Sequence, residues 1–111
     1  MTKRNLEELL EDILEAIEDI ETFTKTVTLE QFSNNKEKIL AVIKLIEIIG
    51  EAVKLIPQEI RDKNLQVPWK AIAGMRDMLV HQYWGIDINV VWETIQESLP
   101  ILKTEILKIK H

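Results

Sequence analysis

Residues 36–57 read "KEKILAVIKLIEIIGEAVKLIP", and how this stretch is read decides the fold. Its apolar residues recur at helical spacing, and Pro57 marks its end, so it predicts a long helix from about Lys36 to Ile56. At about 100° per residue, its charged residues other than Lys38 fill only about 100° of arc. Ile39, Ile43, Ile46 and Val53 face one way, and Ile48, Ile49, Ala52 and Leu55 widen the stripe. One neighbouring helix cannot cover so broad an apolar surface. The helix is therefore either central in a bundle or shared with a second subunit. Gly50 lies inside the stripe and lets another helix approach closely.

The flanking sequence also reads as helix. Leu6, Leu9, Leu10, Ile13, Ile17 and Ile20 recur at helical spacing with acids between them, which predicts an amphipathic helix from about Asn5 to Lys25 with a solvated acidic face. Thr28 followed by Gln31 reads as a capping box opening a short helix, which Ser33, Asn34 and Asn35 interrupt. Residues 57–67 are polar and predict a helical turn or loop. Pro68 suits the first position of a helix running to about Trp84, with Gly85 as its C-cap. Asp87 then caps a last helix that nearly reaches the C-terminus, and Pro100 should kink it or split it in two. The expected fold is all-α: an antiparallel four-helix bundle with short additional helices, one domain over residues 1–111.

Composition narrows the function. The 111 residues contain no cysteine, which removes disulfides and thiolate metal sites and suits a reducing compartment. The N-terminus turns acidic where a signal peptide needs an apolar core, and no apolar run approaches the roughly 18 residues that span a bilayer. The expectation is a cytoplasmic protein with no membrane partner. The net charge of −5 argues against a general nucleic-acid binder. The charge is uneven, however. Residues 1–30 carry nine acids and three bases, and residues 31–111 carry ten acids and eleven bases. A local basic patch thus remains open outside the first helix.

Chemistry concentrates in residues 74–87, "GMRDMLVHQYWGID". On the predicted helix, Trp69, Ile72, Ala73, Leu79 and Val80 form one apolar arc, and Arg76 and Tyr83 fall inside it. Asp77 and His81, four apart, share an adjoining edge with Lys70. An arginine in an apolar stripe is costly unless paired or facing a wet cleft, and its guanidinium does not deprotonate to escape. Arg76 thus needs a carboxylate such as Glu47 or Glu51, a cleft, or a subunit boundary.

This stretch resembles the Arg-x4-His-x-Tyr motif of HepT-like toxins in the HEPN superfamily of helical RNases. The likeness extends in order through "LEDILEAIEDIETFT", "TLEQF", "IEIIGEAVKLIP", "VPWKAIAGMRDMLVHQYWGID" and "VVWETIQESLPIL". Trp84 stands where the family pattern suggests phenylalanine, and Asp77 where asparagine is frequent. The resemblance implies a homodimer whose two motifs line one cleft. It implies cleavage of RNA without metal or other cofactor, with Arg76 and His81 catalytic and Asp77 supporting. It also implies a minimal nucleotidyltransferase antitoxin as partner, which transfers AMP to Tyr83. A non-catalytic module of the same fold that binds such a transferase is the alternative.

Other residues carry weaker readings. Arg61, Lys63 and Lys70 lie near the motif and are candidate contacts for the RNA backbone, although exposed charges need no function. Trp69 and Trp92 read as packing residues, and Met75 and Met78 as core. The glutamates of the first helix lack the Glu-x-x-His spacing of bundled carboxylate metal sites, and His111 reads as a frayed end.

Overall fold

The computed structural model describes residues 5–81 and 87–110, without the side chains of 76–81. The described residues form helices and connections with no strand. Among them, no helix is long and apolar enough to cross a membrane.

Local capping chemistry sets most boundaries. Helix α1 spans Leu6–Thr24. The Asn5 side chain accepts from the Glu8 N–H at 2.8 Å, and the Glu8 carboxylate accepts from the Asn5 N–H at 3.2 Å. This reciprocal pair satisfies donors that a helix start otherwise leaves open. Helix α2, Leu29–Ser33, opens with the Thr28–Gln31 box: Thr28 Oγ1 accepts from the Gln31 N–H at 3.1 Å, and Gln31 Oε1 accepts from the Thr28 N–H at 3.0 Å. Asn34 closes α2, and the adjacent Asn35 caps helix α3 by accepting from the Lys38 N–H at 3.0 Å.

Helix α3 spans Lys36–Leu55. Ile56 takes extended dihedrals, the conformation that the following Pro57 imposes. A short helix α4, Gln58–Asp62, follows. Helix α5 spans Trp69–His81. Pro68 sits just outside it, one place before the predicted position, and its carbonyl accepts from the Ile72 N–H at 3.0 Å. The predicted end of this helix at Trp84 and Gly85 lies outside the described residues.

Asp87 caps helix α6, Ile88–Glu93, through its carboxylate and the Asn89 N–H at 2.9 Å. A π-helical turn, Thr94–Ser98, leads into helix α7, Leu99–Lys110. Pro100 thus splits the last helix as its missing N–H requires. The widened turn, in which the Leu99 N–H reaches back to the Thr94 carbonyl, lets the two pieces continue into each other.

The helices pack side by side as a bundle. Helix α3 lies against both α1 and α5, and α1 also packs on α7. Ile13 and Ile17 of α1, Val42, Ile46, Ile49 and Val53 of α3, and Leu102 and Ile106 of α7 are sealed from solvent in one core. Most of the broad α3 stripe is thereby covered within one chain, as for a central helix. Ile48 and Leu55 are not: they remain 38% and 60% exposed. Phe32 anchors α2 in the core and stacks obliquely on Trp92, with ring centroids 5.3 Å apart. Trp92 and Trp69 are thus packing residues, the latter donating its indole N–H to the Asn64 carbonyl at 3.0 Å.

One buried charge ties distant segments together. Glu105 of α7 is 5% exposed and receives Lys108 Nζ at 3.2 Å. A hydrogen bond from the Gln66 side chain, and then Lys108, hold its carboxyl below the ordinary value, against burial, which acts the other way. Gln66 lies in the connection before α5, so this contact fastens the root of α5 to α7.

Candidate active site

Helix α5 carries the two candidate catalytic positions, Arg76 and His81, and the supporting position Asp77. Their side chains, and Tyr83 altogether, lie outside the described residues. What the structure supplies is the helix itself and the environment of its first half, from which each position takes its register.

Arg76 is seven residues beyond Trp69 and four beyond Ile72, close to the same line of the helix. Trp69 and Ile72 are 7% and 2% exposed. The Arg76 position shares the line on which Trp69 and Ile72 are buried. Met75 beside it is partly buried against the core, and its sulfur lies 3.9 Å from the Thr94 hydroxyl.

His81 is seven residues beyond Gly74 and four beyond Asp77, and Lys70 begins the same line. Lys70 and Gly74 are both exposed, and a Cβ built on Gly74 meets nothing within 4 Å. The Asp77 and His81 positions share the line on which Lys70 and Gly74 are exposed. The two candidate catalytic positions stand about 140° apart around the helix and about 7.5 Å apart along it.

The two carboxylates weighed as partners for Arg76, Glu47 and Glu51, both line a groove between α3 and α1, and Glu47 lies 3.8 Å from Lys44; the pairing with Arg76 lies outside the described residues. Among the described residues, no group of histidine, aspartate and glutamate is arranged to hold a metal ion.

The candidate RNA contacts divide. Arg61 and Lys70 come together in a groove of about 440 Å3 at the root of α5, with Leu65, Pro68 and Trp69 on its walls. Lys63, at the C-terminal end of α4, does not line it. Arg61 Nε is buried without a hydrogen-bond partner. Leu65, 78% exposed, stands at the groove's edge. Asp62 in the same groove is engaged by the Gln58 amide at 2.8 Å. Lys70 lies about 9 Å along the helix from Arg76 and about 16 Å from His81.

Sequence reading missed Gly74. Its signal was present: the one residue in the helical pattern without a side chain sits two turns before His81, on the same line.

Comparison with known proteins gives this helix its context. The family model described as "Ribonuclease HepT-like" matches residues 13–109. A Methanocaldococcus jannaschii protein named "Putative RNase" is 50% identical over 109 residues, covering 98% of this chain and 90% of that protein. "Probable ribonuclease HepT" of Thermococcus cleftensis is 44% identical over 108 residues, covering 97% and 98%. A further "Putative RNase", from Caldanaerobacter subterraneus subsp. tengcongensis, is 42% identical over 100 residues, covering 90% and 89%. No solved structure matches significantly. The match spans the core helices as well as the motif helix, and the chain belongs to the HepT-like ribonuclease family.

Proposed function

We propose that the chain is a metal-independent endoribonuclease that acts as a homodimer, the toxin of a toxin–antitoxin pair. The observation that carries the reading is the spacing of Arg76 and His81 on α5 in a chain of this family. In this reading the four long helical segments, α1, α3, α5 and α6 with α7, form an antiparallel four-helix bundle. Two bundles bring their α5 helices to one cleft, where Arg76 of one chain and His81 of the other converge on a phosphate. The 140° divergence on a single helix is the physical reason for a second copy.

The chemistry requires only these groups. His81 takes the proton of the ribose 2′-OH, and the 2′ oxygen attacks the adjacent phosphorus. The bond from phosphorus to the 5′ oxygen breaks, and that oxygen leaves as a hydroxyl after receiving a proton from an imidazolium. A 2′,3′-cyclic phosphate remains on the other product. Imidazole suits this exchange because it titrates near pH 6.5. Arg76 offers a planar pair of donors to the phosphoryl oxygens as charge gathers there. Asp77, one turn before His81, fixes the imidazole tautomer. Arg61, Lys63 and Lys70 attract flanking backbone phosphates, which places their effect on binding rather than on the bond-breaking step.

Tyr83 follows His81 by two residues and closes the motif. AMP transferred to it by a minimal nucleotidyltransferase adds bulk and a phosphodiester charge beside Arg76, and both oppose an RNA phosphate.

The test is cleavage of a defined RNA pool in excess EDTA by the parent chain and by Arg76→Ala and His81→Ala variants that still fold. Cyclic-phosphate products from the parent alone support the reading. No cleavage of tRNA or mRNA by a folded, dimeric protein unmodified at Tyr83 overturns it. That result leaves a module that binds its transferase without catalysis. A monomer at micromolar concentration removes the shared cleft.

A further inference from the structure

The outer seam between α1 and α3 forms a trough that the nuclease reading does not use. Ile48 and Leu55, two turns apart on α3, stay exposed, and with Leu9 and the small Ala52 they line a groove of about 330 Å3. A second depression of about 200 Å3 continues it along the seam past Ala16 and Leu45, sharing Asp12 and Ile48 with the first. Between Leu9 and Asp19 the trough runs about 15 Å, the length of a three-turn helix.

The floor is apolar and the rim carries mostly one sign of charge. Asp12, Glu15 and Asp19 stand on the α1 side and Glu47 and Glu51 on the α3 side, with Lys44 as the one base among the described residues that line the two depressions. We propose that this trough docks a cationic amphipathic helix of a partner protein. Apolar residues of that helix, spaced i, i+4 and i+7, cover Ile48 and Leu55, while its flanking lysines and arginines face Glu15 and Asp19 on the rim.

Charge selects this occupant. A second copy pairing this face with itself brings two acidic rims together, and like charges across an interface oppose docking. Nucleic acid and anionic lipid surfaces carry the same sign as the rim. Among the described residues, those lining the trough belong to α1 and α3. The proposal does not depend on the nuclease reading.

The probe is a synthetic, side-chain-stapled helix of about 14 residues with leucines at i, i+4 and i+7 and lysines beside them, titrated into the 15N-labelled full chain. A counter-probe keeps the leucines and replaces each lysine with glutamate. The expected result is binding of the lysine probe alone, with amide shifts confined to α1 and α3. Leu55→Ser, at a site already exposed, should weaken it about tenfold without changing the melting temperature. Paired Glu15→Lys and Asp19→Lys substitutions should weaken it further, and salt should do the same. Equal affinity for the two probes overturns the proposal, as do shifts elsewhere on the chain. Dissociation of a dimer by Leu55→Ser also overturns it, because a second copy then covers the trough.

Discussion

Gly74→Ala should make the protein more stable. Gly74 sits inside α5, exposed, with no positive backbone φ among the described residues and open space where a methyl group would go. Glycine in a helix interior is about 0.8–1 kcal/mol less favourable than alanine, because it gives up more backbone freedom on folding. Unfolding entropy near 60 °C scales to roughly 0.23 kcal/mol/K for a chain of this length, so the gain corresponds to a rise in Tm of about 3–4 °C. Scanning calorimetry across a range of protein concentrations reads it directly. The concentration series also reports what meets this line of α5, which leads to the Asp77 and His81 positions. A gain in dilute solution that turns to a loss as concentration rises puts a second chain against the line, since a methyl group there then obstructs docking. A lowered Tm in a protein that sediments as a monomer would refute the argument that Gly74 faces open space.

Three further outcomes follow from local contacts. Thr28→Ala removes one half of the box that opens α2 and should lower stability by about 1 kcal/mol in urea unfolding, with an unchanged m-value. Phe32→Ala empties a fully buried site against Trp92 and should cost about 3–5 kcal/mol, enough to broaden or abolish cooperative unfolding; a loss under 1 kcal/mol would mean α2 is not anchored through that ring. Glu105→Gln should change how stability depends on pH. The Glu105 carboxyl is held low in the folded chain by Gln66 and then Lys108. Its contribution is therefore complete above the unfolded value near 4.5 and is lost as pH falls through the folded value. The urea midpoints of parent and variant should differ by a constant amount at pH 6–7 and converge below about pH 4.5; a gap that widens with acid would contradict the assigned sign.

Features written in neighbouring residues were legible in the sequence, and features made by distant ones were not. Thr28 and Gln31 lie three apart, and the two hydrogen bonds that join them need nothing else, so the start of α2 could be read directly. Asp87 and Pro100 behaved likewise, although nothing in the order of residues says that the break before Pro100 takes the form of a π-helical turn. The burial of Glu105 was not legible. Lys108 three residues on is a local signal, but such pairs are common on solvated faces, and Gln66 reaches Glu105 only after the chain has folded. The width of the α3 stripe was plain, yet two quite different environments would cover it equally well. Packing against α1 and α5 resolves most of that ambiguity, and exposed Ile48 and Leu55 mark the part it leaves.

The motif poses the same division at the level of function. Residue order fixes the angle between Arg76 and His81 once the helix is granted, because each residue adds about 100°. It also puts Arg76 inside the apolar arc of that helix and His81 on the adjoining edge. In the described half of α5, Trp69 and Ile72 on the Arg76 line are buried, and Lys70 and Gly74 on the His81 line are exposed. In the proposed reading, a cation on the first line and an imidazole on the second make an incomplete site on one chain. The arrangement becomes economical if the first line of one α5 borders the second line of another, because each chain then supplies the half the other lacks. Mixing Arg76→Ala and His81→Ala subunits tests this. Each heterodimer keeps one of the two Arg76–His81 pairs that the twofold creates in the cleft, so at random pairing the mixture should recover up to about a quarter of parental cleavage. Each variant alone recovers none. Equal inactivity of the mixture, with heterodimers confirmed by native mass spectrometry, would place both groups on the same chain's side of the phosphate and require Arg76 to curl around its own helix.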